Sequence, residues 1–345
     1  MTARRAPELA GVLARYSLGD ARIIEKLESG IVNDNWLVEG RGAKFILRAY
    51  RRVREPERVL FQLRFQEHLR ERGYPTAEVI RTADGELFRT LTGVPWALFA
   101  LVEGEEYDYS RPQQAFEAGR RLAQFHEVAA SYDGALAPVP PGEVDFTPLI
   151  APPSSHIWRD SVLSDAHEER LRHLFPGPEQ ADDLAAFADW RCRAAAAWPG
   201  IRIAALPCAW LHCDYHGRNM LFHGDEMTGL FDFDFVTEGP RTFDVARGIF
   251  NFGRERRGSR TIRPDFCRTF LDGYGAHSPL TPEEDRSLGF MAVLNWCPDA
   301  PFYETRLPEE GIERIAQRLR FDAVMVRAMD AEVQRLAPEF GWEVV

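Results

Sequence analysis

The chain has 345 residues, of which 45% are hydrophobic and 28% are charged, and its formal net charge is −11 at pH 7. Such a composition is ordinary for a globular protein. The acidic balance argues against nucleic acid as a partner, because binding to a phosphate backbone depends on clustered Lys and Arg. The sequence contains no run of about 18 apolar residues, so we also expect no membrane span.

The compartment is indicated by the N-terminal segment and by the cysteines. Residues 1–18 include basic side chains but no continuous apolar core, so we expect no signal peptide. The five cysteines form no C-x-x-C pair, which disfavours a disulfide framework or a zinc ribbon. Both observations predict a protein of the reducing cytoplasm.

Charge is unevenly distributed along the chain. Residues 1–100 contain 17 basic and 13 acidic residues, a balance of +4, whereas the remainder contains 25 and 40, a balance of −15. An acidic second part suits a cationic small molecule, although a solvated acidic surface explains the same count. Only Lys26 and Lys44 among the 42 basic residues are lysines. A role that usually belongs to lysine therefore has two candidates or belongs to an arginine.

The first hundred residues predict a lobe built mainly from an antiparallel sheet. The predicted strands cover residues 21–28, 35–40, 43–50, 77–82, 87–91 and 94–104. The first three form a meander, because β-branched and aromatic residues alternate with turn residues there. The fourth and fifth form a hairpin through the turn Asp84-Gly85. Helices are predicted over 7–18 and 56–73, the second between Pro56 and Gly73.

Beyond residue 104 the pattern becomes helical. The predicted helices cover residues 111–130, 161–175, 179–198, 262–275, 282–297 and most of 309–337. Residues 134–155 are Pro-rich and irregular. We therefore predict a two-lobed α+β protein, with a nucleotide-binding lobe over 1–100, a hinge over 101–104 and a mainly helical catalytic and substrate-binding lobe over 105–345.

The stretch LHCDYHGRNMLF (211–222) concentrates polar side chains between apolar anchors. The segments MLF and GLFDFDF around a short turn predict a hairpin that follows this loop and ends at Asp232 and Asp234. Asp214 and Asn219 of the loop and Asp232 of the strand would then lie at one end of the hairpin. Three such oxygen-bearing side chains suit a divalent cation and a proton acceptor, the set that phosphoryl transfer from a nucleotide needs. A solvated turn is the alternative for the loop alone.

Four segments in chain order carry a resemblance to a known family. They are GIVNDNWLV, HCDYHGRNMLF, GLFDFDFVTEGPRTFDVA and FLDGYGAHSPLTPEE. Together they resemble the nucleotide loop, the catalytic loop, the metal-binding segment and a C-terminal motif of the aminoglycoside phosphotransferase, choline kinase and homoserine kinase superfamily. The similarity spans residues 20–335 and is closest to the homoserine kinase type. It implies the two-lobed fold of the protein kinases.

The resemblance implies a role for each matching residue. Asp214 corresponds to the catalytic base, and Asn219 and Asp232 correspond to the ligands of Mg²⁺. Asp234 is a further metal candidate, and His216 either reaches substrate or phosphate or stabilises the loop. Asp244 corresponds to an aspartate that holds the catalytic loop.

The cation that anchors the phosphates falls on Arg48, where most members of the superfamily have lysine. Strand alternation places Lys44 on the same face, so Lys44 is a rival. Arginine can hold phosphate oxygens in a bidentate manner, so the function need not be lost. Gln62 stands where the superfamily has the carboxylate partner of this cation.

The nucleotide is expected to contact two further segments. Gly30, Asn33 and Asn35 belong to the loop that would cover the phosphates, since glycine permits a close approach and asparagine orders a turn. The adenine is expected to rest against the backbone from Ala100 to Val102.

These observations predict an enzyme that transfers the γ-phosphoryl group of ATP, with Mg²⁺, to a hydroxyl group of a small molecule. The alternatives are an antibiotic phosphotransferase, a protein Ser/Thr kinase of the stress-response type, and an inactive nucleotide-binding protein. Asp214, Asn219 and Asp232 argue against the last, whereas Arg48 and Gln62 keep it open. The sequence leaves the oligomeric state open.

The acceptor is expected to carry a protonated amine, as in an amino alcohol, an amino acid or an amino sugar. This expectation rests on Asp299 and Glu304 as acidic contacts and on Trp296, Phe302 and Tyr303 as aromatic rings that can enclose a cation. Acids that simply face solvent are the alternative.

Overall fold

The computed structural model describes residues 6–27, 33–51, 55–134, 164–201, 206–297 and 300–344. Side chains are described throughout these ranges except at 6–8, 198–201, 301, 302, 305 and 309.

An antiparallel sheet of six strands forms the first part of the described chain. The strands are β1 (Arg22–Leu27), β2 (Asp34–Gly40), β3 (Ala43–Ala49), β4 (Val79–Ile80), β5 (Arg89–Leu91) and β6 (Val94–Ala100). Their order is β1-β2-β3-β6-β4, and β5 also pairs with β6. Trp36 and Val38 alternate with more exposed neighbours in β2 and pack with Leu9 and Val12 of helix α1 (Ala6–Leu13), which covers this face.

The predicted hairpin around Asp84-Gly85 is wrong. β4 and β5 each pair with β6, opposite Leu98–Phe99 and Val94–Trp96 respectively, and not with each other. The intervening residues form a closed turn in which the N–H of Thr82 donates to the carbonyl of Glu86. The two short strands are therefore one interrupted edge strand, because β6 is buried along its length and offers a continuous partner.

Helix α2 (Pro56–Glu71) joins the sheet to the helical part of the protein. Val59 and Leu63 pack in the apolar cluster beneath the sheet. Phe61 and Phe65 belong instead to the large core of the helical part. One helix thus has apolar side chains on two faces, one in each core, and fixes the position of β3 relative to the site described below.

The second part of the chain is mainly helical. Its helices are α3 (Pro112–Ala129), α4 (Asp165–Leu174), α5 (Ala181–Ile201), α6 (Thr242–Phe252), α7 (Pro264–His277), α8 (Pro282–Leu294), α9 (Ala300–Glu310) and α10 (Ile312–Phe340). Two short antiparallel pairs accompany them: β7 (Cys208–Leu211) with β10 (Thr237–Pro240), and β8 (Met220–His223) with β9 (Glu226–Leu230). The last pair is the hairpin that the sequence predicts.

Helix α9 was not predicted from the sequence. It contains Pro308 within its last turn. Gly311, with φ of 79°, separates it from α10, which begins three residues after the predicted start of the last helix. The division into lobes at 101–104 stays a prediction: β6 ends at Ala100 and α3 begins at Pro112.

Two features bear on the expected compartment. All five cysteines are free. In the part of the chain that the structure describes, no helix has the length and apolar character needed to span a bilayer.

Helices α3 and α7 cross at a pair of glycines. A Cβ atom on Gly119 would lie 2.0 Å from the carbonyl oxygen of Phe270, and one on Gly273 would lie 2.0 Å from that of Phe116. The two backbones therefore approach more closely than any side chain allows. This crossing packs α3 against the helices that support the catalytic loop.

We expect Gly119→Ala to lower the free energy of unfolding by about 1–3 kcal/mol, because the added methyl group must push two backbones apart. Gly275→Ala is the matched control, since Gly275 lies in α7, the other helix of the crossing, but its Cβ would meet nothing within 4 Å. This control should raise the free energy of unfolding by about 0.5–1 kcal/mol through helix propensity. Urea denaturation measures both, and the same sign for the two variants would contradict the close crossing.

Candidate active site

The loop between β7 and β8 is held by a buried carboxylate. Asp244, in the first turn of α6, is fully buried and accepts hydrogen bonds from the backbone N–H groups of His212 at 2.6 Å and Cys213 at 2.9 Å. Cys213 has φ of 62°, in the left-handed region that a non-glycine residue adopts at a cost. The two hydrogen bonds offset that cost and fix the backbone from which Asp214 projects.

His212 braces the same loop as a neutral imidazole. Its Nε2 atom lies 2.9 Å from the carbonyl oxygen of Phe231, and its Nδ1 atom accepts the backbone N–H of Asp214 at 3.2 Å. Burial lowers the pKa of His212 and outweighs the nearby carboxylates of Asp244 and Asp214, which act to raise it. The two contacts together place the ring proton on Nε2, which donates to the carbonyl.

The carboxylate of Asp214 is surrounded by donors. Its Oδ1 atom accepts from Nη2 of Arg247 at 2.7 Å, and its Oδ2 atom accepts from Nδ2 of Asn219 at 2.9 Å and lies 3.3 Å from Nε2 of His216. Burial alone raises the pKa of Asp214, but the contact with His216 and the charge of Arg247 outweigh it, and the pKa lies well below its usual range. Asp214 is therefore ionised at neutral pH, the form that can orient a hydroxyl group by accepting its hydrogen bond.

The end of the β8–β9 hairpin brings Asp232 beside Asn219. The backbone N–H of Phe231 donates to the carbonyl of Asn219 at 2.8 Å, and Asp232 is the next residue. The side-chain Nδ2 of Asn219 donates to the backbone and carboxylate oxygens of Asp214. In the described part of the chain this leaves Oδ1 of Asn219 and Oδ2 of Asp232 without hydrogen bonds.

These two oxygens fit a magnesium ion. Mg²⁺ binds oxygen ligands and commonly takes one or two protein side chains, with phosphate oxygens and water completing its octahedron. The side chain of Asp232 is 34% exposed, so a cation can reach it. Among the residues that the structure describes, no group of three or more His, Cys, Asp and Glu forms a complete metal site, so a cation here would need ligands from phosphate and water.

Arg48 of β3 connects the sheet to the end of this hairpin. Its Nη2 atom donates to Oδ1 of Asp232 at 2.8 Å and to Oδ1 of Asp234 at 3.0 Å, and its guanidinium lies 5.0 Å from the ring centre of Tyr50. Burial acts to lower the pKa of Arg48, but the charges of Asp234 and Asp232 outweigh it and raise the pKa above its ordinary value. Asp234 is buried and also accepts from Nδ2 of Asn33 at 2.8 Å, so its contacts are those of a counter-ion.

Gln62 does not pair with Arg48. It is buried, and its Nε2 atom has no hydrogen-bond partner among the described residues. The same helix instead contributes Arg58, which donates to the backbone carbonyls of Asp234 at 3.2 Å and Val236 at 3.5 Å. The carboxylate partners of Arg48 thus come from the hairpin end and not from α2, and sequence analysis missed the role of Arg58.

The other predicted nucleotide contacts occupy different places. Lys44 is exposed and forms no ion pair with described residues. Asn35 lies opposite Arg48 in the β2–β3 ladder, and Ala100 is the last residue of β6. Val102 packs in the apolar cluster beneath the sheet, and within the described residues its backbone N–H makes no hydrogen bond. Gly30 lies outside the described residues.

Of the residues predicted to hold a cationic acceptor, Glu304 and Tyr303 are engaged in other contacts. Glu304 is bonded to Nε of Arg170 at 2.9 Å on the surface, so its charge is already balanced. Tyr303 is fully buried, and its hydroxyl donates to Asp322 at 2.6 Å. Asp299 and the side chain of Phe302 lie outside what the structure describes. Trp296 alone lies near the catalytic loop, where the arginine that binds Asp214 packs on its ring at 5.7 Å.

Arg247 is a site residue that the sequence analysis did not identify. It lies three residues after Asp244 and therefore on the same face of α6. Besides its bond to Asp214, its Nη1 atom lies 3.4 Å from Oδ1 of Asn295. A basic residue one helical turn after the aspartate that holds the loop was the signal in the sequence.

The described residues place the largely buried Arg48 of the sheet beside a loop that carries a carboxylate and an amide. The hairpin after that loop ends on an aspartate. This combination defines a protein-kinase-like phosphotransferase. The chain matches the family described as "Phosphotransferase enzyme family" over residues 23–286 and belongs to it. Solved structures of similar fold confirm the two-lobed α+β fold that the sequence predicted.

Three known proteins illustrate the similarity. A homoserine kinase of Sinorhizobium fredii (strain NBRC 101917 / NGR234) is 30% identical over 287 residues, which are 83% of this chain and 79% of that protein. The structure of a microcompartment-associated aminopropanol kinase has a TM-score of 0.64 at 17% identity and covers 98% of this chain and 99% of its own. That of an amicoumacin kinase with AMP-PNP, Ca²⁺ and Ami has a TM-score of 0.60 at 15% identity, with 94% and 93% covered.

Membership in this family makes the chain a small-molecule phosphotransferase, a kinase whose acceptor is a hydroxyl group. The predicted enzyme class is thereby confirmed. Because the two solved structures are only 17% and 15% identical to this chain, their similarity shows the fold alone.

Arg48 and Lys44 differ in their expected effects on stability. Arg48→Met should lower the free energy of unfolding by about 2–4 kcal/mol, because it removes a shared cation from two neighbouring carboxylates. Asp232 is exposed enough to reduce the loss below that of a fully buried pair. Lys44→Met, the matched control in the same strand, should change it by about 0.5 kcal/mol or less. Adding Asp234→Asn should recover part of the loss. Urea denaturation measures all three, and equal effects of Arg48→Met and Lys44→Met would contradict the role of Arg48.

Proposed function

We propose that this kinase uses ATP with Mg²⁺ and phosphorylates the hydroxyl group of a small amino acid or amino alcohol. The observation that carries the proposal is that Asn219 is hydrogen-bonded to Asp214 and, through the backbone of Phe231, holds the neighbouring Asp232 beside it. An ionised carboxylate lies beside an amide oxygen and a second carboxylate oxygen that are both available to a cation. This is the arrangement that phosphoryl transfer to a hydroxyl group requires.

Each residue has a separate task in this proposal. The carboxylate of Asp214 accepts a hydrogen bond from the acceptor hydroxyl and so directs its oxygen to the phosphoryl group. Arg247 and Asn219 hold that carboxylate in place from its two oxygens. Arg48 donates to phosphate oxygens, and the charge it brings to the phosphates stabilises the negative charge of the transition state.

The metal would be held by Oδ1 of Asn219 and Oδ2 of Asp232. When bound there, Mg²⁺ neutralises charge on the phosphates and polarises the transferred group. Arg48 keeps the other oxygen of Asp232 engaged at 2.8 Å and leaves Oδ2 available to a cation.

ATP as the donor is supported by the connector after β6. The unoccupied backbone N–H of Val102 and the apolar surface formed with Phe231 suit the edge and the face of an adenine ring. The amicoumacin kinase that shares the fold was solved with AMP-PNP. Asn33 keeps the adjoining loop end next to Asp234.

A small amino acid as the acceptor is supported by the relatives. Several proteins that are 27–30% identical over more than four-fifths of this chain are named homoserine kinase. Homoserine carries the amine that the sequence analysis expected, together with a carboxylate. Residence in the cytoplasm rests on the cysteine pattern and stays a prediction.

Asp214→Asn should lower kcat by roughly 100-fold or more, because the amide cannot accept the hydroxyl proton, and should leave the Kd for ATP nearly unchanged. Turnover of ATP with homoserine, amino alcohols, amino sugars and aminoglycosides tests the proposal, with calorimetry for ATP binding. Phosphorylation of none of these acceptors by the parent enzyme would overturn the proposed function. Turnover of the variant within a few-fold of the parent would overturn the role of Asp214.

Asp232→Ala should weaken the binding of Mg·ATP far more than that of ATP in the presence of EDTA, because only the former uses the carboxylate as a metal ligand. Calorimetry with and without Mg²⁺ measures the difference, and it needs no turnover. Equal losses under both conditions would exclude Asp232 as a metal ligand.

A further inference from the structure

Arg254 is a largely buried cation whose guanidinium lacks partners. Its Nε and Nη2 atoms are buried and have no hydrogen-bond partner in the described part of the chain. Its backbone is fixed, since its carbonyl accepts from Arg263 at 3.0 Å and the residue forms a β-bridge with Ile262. Buried polar groups in native proteins are nearly always paired, and a guanidinium cannot lose its proton to avoid the cost. Such an unpaired cation needs a physical reason.

Trp296 links Arg254 to the catalytic carboxylate. The guanidinium carbons of Arg254 and Arg247 each lie 5.7 Å from the centre of its indole ring. Arg247 binds Oδ1 of Asp214 at 2.7 Å, and its buried Nε atom has no hydrogen-bond partner within the ranges that the structure describes. The unsatisfied nitrogens of both arginines are therefore gathered around one ring next to Asp214.

The charges at this place do not cancel. Asp214 balances the charge of only one of the two arginines. Burial, and after it repulsion by the charge of Arg247, lower the pKa of Arg254. Arg318 is electrostatically coupled to Asp214 but is bonded to Asp322 at 3.0 Å. The described residues thus leave one positive charge uncompensated beside the catalytic base, although this part of the chain is acidic as a whole.

We propose that Arg254, with Arg247 and the ring of Trp296, binds a carboxylate group of the acceptor and so presents the acceptor hydroxyl to Asp214. The inference rests on the proposed function and assigns this chain an anionic subsite within it. A planar carboxylate matches the fork of donors of a guanidinium. Its single charge equals the one charge left over, whereas a phosphate dianion would exceed it.

The test compares acceptors that differ by one charged group. Homoserine, 4-hydroxybutyrate, which lacks the amine, and 3-amino-1-propanol, which lacks the carboxylate, are assayed with the parent enzyme and Arg254→Met. The ratio of kcat/KM for 4-hydroxybutyrate to that for 3-amino-1-propanol should fall roughly 10- to 100-fold in the variant, the value of a charged hydrogen bond. An unchanged ratio overturns the proposal.

The matched control is Arg257→Met. Arg257 lies in the same segment, is 61% exposed and pairs with Glu106 at 3.4 Å, so it tests the loss of a distant positive charge. We expect the ratio of the two kcat/KM values in Arg257→Met to stay within about twofold of that in the parent enzyme, since surface charges are screened. If it falls as far as that of Arg254→Met, general electrostatics and not a subsite explains the effect.

Thermal unfolding separates binding from a structural role. Removal of a buried unpaired charge should leave the Tm of Arg254→Met unchanged or raise it, whereas a structural role lowers the Tm and reduces activity with every acceptor alike. Arg254→Lys keeps the charge and should recover part of the ratio. A lowered Tm together with an unchanged ratio counts against the proposal.

Calorimetry without nucleotide keeps the two proposals distinguishable. If no acceptor is phosphorylated, the proposed function fails, but 4-hydroxybutyrate should still bind the parent and bind Arg254→Met at least tenfold more weakly. Equal binding to both proteins overturns the subsite. Tighter binding of inorganic phosphate than of 4-hydroxybutyrate at this residue overturns the assignment to a carboxylate.

Discussion

The site depends on one buried carboxylate. Asp244 accepts two backbone N–H groups of the catalytic loop and also lies 3.4 Å from Nε2 of His126. A buried carboxylate without such donors would cost several kcal/mol, so the loop and α6 must keep this geometry together. Asp214 projects from the backbone that is held in this way, and Asn219 and Asp232 are positioned from it through further hydrogen bonds.

Arginine supplies the positive charge throughout the site. Arg48 bridges two carboxylates at the hairpin end, Arg58 binds two carbonyls behind them, and Arg247 holds the carboxylate of Asp214. A guanidinium remains charged under all relevant conditions and offers several donors in one plane. One side chain can therefore serve two acids, which explains how the carboxylate usually found on the helix after β3 can be replaced by Gln62.

Total charge and local charge differ in sign in the second part of the chain. The balance of −15 after residue 100 describes the whole segment, but acids such as Glu304 and Glu168 are paired with arginines away from the loop. Beside Asp214, in contrast, Arg247 is bonded to the carboxylate, and Arg254 lies across the ring of Trp296 from Arg247. Because charges interact strongly only at short distances inside a protein and are screened at its surface, the local arrangement decides which acceptor the site attracts.

The sequence by itself determined the family, the order of the lobes, the hairpin after the catalytic loop and the identity of Asp214, Asn219 and Asp232 as candidates. The family follows from the resemblance of four segments in chain order, whereas the hairpin and the candidate residues follow from spacing within one stretch of the chain. Tertiary structure alone decided that β4 and β5 share β6, that Arg48 pairs with Asp234, and that Arg254 meets Trp296. Those contacts join residues far apart in the chain, and their strength depends on burial and on three-dimensional distance, which no local pattern specifies.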